Sequence, residues 1–151
     1  MSTAAAISQP SLSIEALLGG RKVLQVKQRS ALDWVLVIRQ GLSAAAVDSL
    51  AKAIRVTQAE LAGALGIPER TLARRKKEGT LNSEESAKLV RLARVVGRAT
   101  ETFEDLDTAL DWLKSPNAAL AGATPLSFLD TDIGTESVMD TLGRIEHGVF
   151  A

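Results

Sequence analysis

A stripe of cations within the segment ERTLARRKKEG is the clearest candidate for chemistry in this sequence. If the segment is helical, Arg70, Arg74 and Lys77 fall within an arc of about 60°, while Leu72 lies on the opposite side and points inward. An arginine can donate two parallel hydrogen bonds to guanine, and a lysine suits phosphate charge. The pattern favours a DNA-binding helix over a solvated basic face. The predicted DNA contacts are Gln58, Arg70, Thr71, Arg74, Arg75 and Lys77.

The residues before this stripe carry the signals of two short helices joined by a tight turn. Thr57 and Glu60 have the spacing of a capping box, in which each side chain bonds the other residue's backbone N–H. Gly66 permits a tight turn, and Pro68 stands where a second helix can begin without losing a needed donor. Ala62 is small enough for two helices to cross closely. The sequence therefore predicts a helix-turn-helix, whose second helix enters the major groove.

Apolar spacing predicts that the rest of the chain is also helical. A short helix should contain Leu12, Ile14, Leu17 and Leu18 and stop at Gly19-Gly20. Residues 31–39 mix β-branched residues with helical surroundings, and we predict a helix. Further helices are expected over about 43–53, 83–98, 102–113 with Thr102 as cap, and 134–147, with a short turn starting at Thr124-Pro125. The predicted fold class is all-α.

The charges divide along the chain although they cancel in total. Residues 1–100 carry a net charge of +8 and residues 101–151 a net charge of −8. The division is consistent with two surfaces for two kinds of partner, or with two halves that neutralise each other. A further open choice concerns four cations of the helix expected over 83–98, which either contact phosphate or form a solvated face: Lys88, Arg91, Arg94 and Arg98. We predict a tail and helical extension over 1–40, a helix-turn-helix domain over 41–99 and a small helical domain over 100–151.

Composition excludes several classes of chemistry. The 151 residues include no cysteine and one histidine, so disulfides, thiol catalysis, zinc-cysteine sites and multi-histidine metal centres are excluded. Asp130, Asp132 and Glu136 have the wrong spacing for a calcium loop. A lone His147 near the end of the sequence is a poor candidate for a general base. We expect a non-enzymatic protein without metal or cofactor, soluble and cytoplasmic, with no membrane segment.

The last residues, Val149-Phe150-Ala151, form a short apolar segment after Gly148. Phe150 can pack back onto its own domain, and the hydrophobic effect by itself favours this arrangement. Alternatively, the segment inserts into a cavity of a partner.

Two longer segments resemble the Xre/MbcA/ParS family of antitoxins, the partners of RES-domain toxins. They are RTLARRKKEGTLNSEESAKLVRLARV and ALDWLKSPNAALAGATPLSFLDTDIGTESVMDTLGRIEHGVF, and with the helix-turn-helix start they cover roughly residues 41–151. The resemblance implies an Xre-like helix-turn-helix bundle followed by a small helical toxin-binding domain.

The same resemblance implies a function. RES toxins degrade NAD, so this chain would inhibit such a toxin by blocking its active site, and would bind its operator DNA to repress its own operon. We expect a homodimer within a toxin–antitoxin hetero-oligomer. The residues that the family places at the toxin's active-site entrance correspond to Arg144, Glu146, His147, Gly148, Val149, Phe150 and Ala151. The alternative is a stand-alone transcriptional repressor whose C-terminal domain only dimerises.

Overall fold

A computed structural model describes residues 13–25 and 30–148 of the chain, and its regular elements are helices. The α-helices are α1 (Ile14–Leu17), α2 (Gly20–Leu24), α3 (Ala31–Gln40), α4 (Ala45–Ala53), α5 (Gln58–Leu65), α6 (Glu69–Glu78), α7 (Ser83–Phe103), α8 (Leu106–Leu113) and α9 (Asp132–Glu146). Two 3-10 turns, Ala118–Leu120 and Pro125–Phe128, join α8 to α9. The predicted all-α class is confirmed. No helix of the described part is long and apolar enough to cross a membrane.

Three sequence predictions are confirmed: the helix over residues 31–39, the stop of the first short helix at Gly19, and the turn that starts at Thr124-Pro125. Residues 31–40 are a helix, begun by Ser30, whose side chain accepts a hydrogen bond from the Asp33 N–H. The first short helix ends before Gly19, which has a φ of 108°. A second short helix, α2, then starts at Gly20, which the sequence did not predict. Thr124 caps the 3-10 turn that begins at Pro125. Leu12 lies outside the described residues.

The predicted cap at Thr102 is wrong, because α7 is longer than its sequence pattern indicated. Thr102 lies inside the last turn of α7, which ends at Phe103. Glu104 then takes a left-handed conformation with a φ of 57°, which reverses the chain. Asp105 caps α8 instead, accepting hydrogen bonds from the backbone N–H and the hydroxyl of Thr108. These bonds to Thr108 lower the pKa of the Asp105 carboxyl.

Helix α9 begins two residues earlier than predicted. Thr131 is its N-cap and accepts a hydrogen bond from the Gly134 N–H at 3.0 Å. Gly134 is therefore in the first turn of α9. It packs so closely on the preceding turn that a Cβ there would lie 1.9 Å from the carbonyl oxygen of Phe128. This position has no room for a side chain, so it requires a glycine.

Helix α7 is the centre of the packing. It contacts α1, α3, α5, α8 and α9. Its inward face includes Leu89, Leu92 and Val96, each at most 2% exposed. These residues belong to the same apolar core as Leu50 of α4 and Leu142 of α9. The expected boundary between residues 99 and 100 lies within α7. Residues on both sides of that boundary belong to the same apolar core.

Candidate functional site

The turn between α5 and α6 has the geometry of a helix-turn-helix. Thr57 Oγ1 accepts from the Glu60 N–H at 3.1 Å, and Glu60 Oε1 accepts from the Thr57 N–H at 2.8 Å, which completes the predicted capping box. The bonds from the Thr57 backbone and hydroxyl lower the pKa of the Glu60 carboxyl. Gly66 takes a φ of 70°, after which Pro68 directly precedes α6.

The same turn rests on the region before α9. A Cβ at Gly66 would lie 3.2 Å from the carbonyl oxygen of Asp130, closer than an ordinary contact. Leu72 of α6 is fully buried and Ile67 of the turn is 6% exposed. Together these contacts fix the direction in which α6 leaves the turn.

The cationic stripe, defined as Arg70, Arg74 and Lys77, lies on the exposed side of α6. Arg74 has a weak contact with Glu78 across one helical turn, with 3.9 Å between Nε and the carboxylate oxygen. Arg70 and Lys77 have no ion pair within the described part of the chain. Thr71 is half-buried at the edge of the stripe. Because surface ion pairs of this kind contribute little, all three cations are available to an anionic partner.

Arg75, which was predicted to contact DNA, is held within the protein. Its Nε–H is shared between the two carboxylate oxygens of Glu85 at 2.9 and 3.1 Å, and its Nη1 donates to Glu78 at 2.9 Å. Its side chain is 22% exposed. The bonds to Glu85 and then Glu78 raise the pKa of the guanidinium. Arg75 therefore connects α6 to the first turn of α7, and two of its five N–H groups are used by Glu85 and Glu78.

Gln58 lies at the start of α5, facing the end of α6. Its side-chain oxygen accepts from the Lys76 ammonium at 2.7 Å. That ammonium also lies 2.8 Å from the carboxylate of Asp48 on α4. The Lys76 side chain thus joins three helices, and the amide NH₂ of Gln58 is the part of that residue left for a partner.

Three of the four cations of α7 have a carboxylate partner within the described residues. Arg91 pairs with Asp132, Arg98 pairs with Glu146, and Lys88 lies near Glu84 on its own helix. Two of these partners belong to the acidic half of the chain. Arg94 is the one of the four that has no ion pair within the described residues. Two ion pairs therefore join the basic half to the acidic half across α7 and α9, while the cationic stripe of α6 is left exposed.

The predicted partner-binding residues lie at the end of α9. Arg144 and His147 are exposed, and no described carboxylate pairs with Arg144. Nδ1 of His147 lies 2.7 Å from the carbonyl oxygen of Gly143, which holds the ring against the last turn. Gly148 follows with a φ of 71°. The other predicted residues of this set, Val149, Phe150 and Ala151, lie outside the described residues.

The carboxylate of Glu146 is bound by two residues of α7. Arg98 donates from Nε and Nη2 to its two oxygens at 2.9 and 2.6 Å, and Thr102 Oγ1 lies 2.7 Å from one of them. These bonds, first that of Arg98 and then that of Thr102, lower the pKa of the Glu146 carboxyl. The sequence did not indicate this cluster, because 48 and 44 residues separate Glu146 from its two partners and no local pattern relates them.

Two family models match the chain side by side. The antitoxin Xre-like helix-turn-helix domain matches residues 33–94, which include most of α3, all of α4 to α6 and the first part of α7. The antitoxin Xre/MbcA/ParS C-terminal toxin-binding domain matches residues 98–148, which include the end of α7, α8 and α9.

Individual proteins resemble the chain over most of its length. An "Antitoxin Xre" of Yersinia enterocolitica is 37% identical over 116 residues, 76% of this chain and 78% of that protein. A "Prs ADP-ribosylating antitoxin" of a Sphingobium species is 29% identical over 132 residues, 81% of this chain and 83% of that protein. In the solved structure of the M. tuberculosis MbcT-MbcA toxin-antitoxin complex, one chain matches with a TM-score of 0.53 and 23% identity. The match covers 72% of this chain and 96% of that chain and shows a common fold.

Proposed function

The chain belongs to the Xre/MbcA/ParS family of antitoxins, and we propose that it binds and inhibits an NAD-degrading toxin of the RES type. It is the antitoxin of a toxin–antitoxin system, so its role is that of an inhibitor. The proposed inhibitory surface is the end of α9 with the residues that follow, from Arg144 to Ala151.

The observation that carries this proposal is the exposed last turn of α9 within the domain that matches the toxin-binding model. Arg144 and His147 project outward there, and neither forms an ion pair with a described residue of the same chain. An arginine at a helix end without a described ion-pair partner, such as Arg144, can bind an acidic group on another protein. Apolar Val149 and Phe150 follow in the sequence and are suited to a cavity.

The name of the Sphingobium relative supports an NAD-using partner. ADP-ribosylation transfers an ADP-ribose group, and NAD is the common donor of that group. NAD is thus the dinucleotide common to an NAD-degrading toxin and to the ADP-ribosylation in the name of this relative. We therefore propose that the antitoxin closes a dinucleotide-binding active site.

We further propose that α6 binds the operator of the chain's own operon. The cationic stripe of α6 follows a tight helix-turn-helix turn, and its exposed side chains are free for base edges and phosphates. A single helix-turn-helix makes a small interface, so two copies would bind two half-sites. Repression of the operon would follow when the operator overlaps its promoter.

Deleting Val149, Phe150 and Ala151 from the full chain tests the inhibitory surface. The purified toxin is mixed with increasing amounts of either antitoxin, and NAD consumption is measured. We expect the deletion to weaken inhibition strongly and to leave operator binding in a mobility-shift titration unchanged. An equal loss in both assays would point to general unfolding.

The stand-alone repressor is the competing function. It predicts that the intact protein binds its operator but does not slow NAD consumption by the toxin encoded beside it. Growth of cells that express this toxin, with and without the antitoxin, separates the two functions directly.

A further inference from the structure

The last turn of α9 is fixed by a three-residue cluster, which we call the Arg98 clamp: Arg98, Thr102 and Glu146. Arg98 binds both oxygens of Glu146 with two of its N–H groups, at 2.9 and 2.6 Å. The Thr102 hydroxyl also reaches the carboxylate, at 2.7 Å. The side chains of Arg98 and Glu146 are 33% and 30% exposed, so the pair is partly shielded from water.

This geometry restricts direction as well as distance. A guanidinium that binds a carboxylate with two parallel hydrogen bonds holds it in one plane, whereas a single ion pair allows rotation. The ends of helices otherwise fray. Glu146 is the last residue of α9, and His147 and Gly148 follow it directly. The clamp therefore determines where the residues after it leave the helix.

We infer that Glu146 acts as a positioning residue for toxin inhibition, together with Arg98 and Thr102 of α7. This inference rests on the proposed function, because it concerns how the inhibitory residues are aimed. Glu146 lies within the proposed inhibitory surface but acts there by holding the end of α9 and not by contacting the toxin, since its carboxylate is already used by α7. The outward residues Arg144 and His147 make the contact, and the clamp presents them in a fixed orientation.

A second ion pair between the same two helices provides a matched control. Arg91 of α7 binds Asp132 at the opposite end of α9 and also donates to the carbonyl oxygen of Leu129 at 3.3 Å. Loss of either arginine removes one ion pair between α7 and α9. Only the loss of Arg98 frees the end of α9 that leads to the inhibitory residues. If the clamp contributed only to stability, the loss of inhibition in each variant would follow its loss of thermal stability.

The experiment compares full-length Arg98→Ala and Arg91→Ala with the unmodified antitoxin. For each protein, NAD consumption by the purified toxin is titrated with antitoxin, operator binding is measured by mobility shift, and thermal unfolding is recorded. We expect Arg98→Ala to raise the antitoxin concentration for half-inhibition about tenfold, as loss of a charge-assisted pair would. Arg91→Ala should change it less than about threefold, and neither should change operator binding.

Two further variants test whether geometry or charge is responsible. Arg98→Lys keeps the charge but lacks the planar fork, so it should recover only part of the inhibition. The double variant Arg98→Glu with Glu146→Arg reverses the pair and should restore inhibition to within about threefold of the unmodified protein. Such rescue places the effect in the contact between these two residues.

The outcomes separate this inference from the proposed function. Unmodified inhibition by Arg98→Ala, or an equal loss in Arg98→Ala and Arg91→Ala, overturns the positioning role while the proposed function stands. An unmodified antitoxin that fails to slow NAD consumption overturns the proposed function, and the positioning role with it.

Discussion

Arg75 and Glu85 join α6 to the first turn of α7, with the Arg75 Nε–H shared between the two carboxylate oxygens at 2.9 and 3.1 Å. The same carboxylate accepts the backbone N–H of Asn82 at 2.9 Å and so also caps α7. The Glu85 side chain is only 9% exposed. A single buried carboxylate thus fixes both the start of the central helix and the orientation of the helix that carries the cationic stripe.

Alanine substitutions at Arg75 and Arg70 should therefore differ in their effects on melting temperature and operator affinity. Arg75→Ala should lower the melting temperature and weaken operator binding, because it loosens α6 and leaves Glu85 without its partner. Arg70→Ala should leave the melting temperature unchanged and weaken operator binding by about 1–3 kcal/mol, as expected for an arginine that contacts a base. Thermal unfolding and mobility-shift titrations measure the two effects. Unchanged operator affinity in Arg70→Ala would remove that residue from the DNA contacts.

The salt dependence of operator binding should distinguish α6 from α7. Lys77→Ala removes an exposed cation suited to phosphate. The negative slope of log affinity against log salt should therefore become shallower by about 1. Arg91→Ala removes a cation already paired with Asp132, so the slope should not change. Titrations at several salt concentrations give both slopes. Equal slopes for the two variants would mean that the cationic stripe does not neutralise phosphate.

Two glycines of the helix-turn-helix should respond oppositely to alanine. Gly63 lies in α5, and a Cβ there meets no atom within 4 Å, so Gly63→Ala should stabilise the protein by about 0.5–1 kcal/mol. Gly66 has a φ of 70° and a Cβ there would crowd the Asp130 carbonyl oxygen, so Gly66→Ala should destabilise it by at least about 1–2 kcal/mol. Denaturant unfolding measures both changes. Similar effects at the two positions would contradict the turn geometry.

Stability should fall in acid through the carboxylates whose pKa values are lowered. In Glu60, Asp105 and Glu146 hydrogen bonds favour the charged form, led by those from Thr57, Thr108 and Arg98 respectively. A pKa lowered by folding gives stability that is present above the unfolded pKa, about 4, and is lost as pH falls through the folded pKa. Glu146→Gln should therefore reduce the fall in melting temperature between about pH 5 and pH 2. A fall as steep as that of the unmodified protein would exclude Glu146 as a contributor.

Footprinting of the operator should reveal two half-sites. Under the proposed function each α6 would read one major groove, and two copies related by a two-fold axis would require centres about 10 base pairs, or a multiple of that, apart. The protected region should therefore contain a pseudo-palindrome. Protection of one half-site alone would indicate binding by a single copy.

Local signals in the sequence were sufficient for most of the helices. The capping box of Thr57 and Glu60, the turn at Gly66 and the start of α6 after Pro68 formed as predicted, because these signals act over three or four residues. The end of α7 was predicted wrongly. Thr102 has the residue type of a cap, but its hydroxyl bonds the Arg98 carbonyl oxygen and approaches Glu146. Contacts over 44 residues override a local preference of this size.

The sequence by itself determined the all-α class, the helix-turn-helix and the exposed position of Arg70, Arg74 and Lys77, because helix periodicity specifies which residues share a face. Only the tertiary structure decided which cations lack an ion pair within the described residues and are available to an anionic partner. Arg75, Arg91 and Arg98 have the same side-chain chemistry as Arg70, yet each has a carboxylate partner from a distant turn or helix. Ion pairing depends on separation in space, which a one-dimensional charge pattern does not contain.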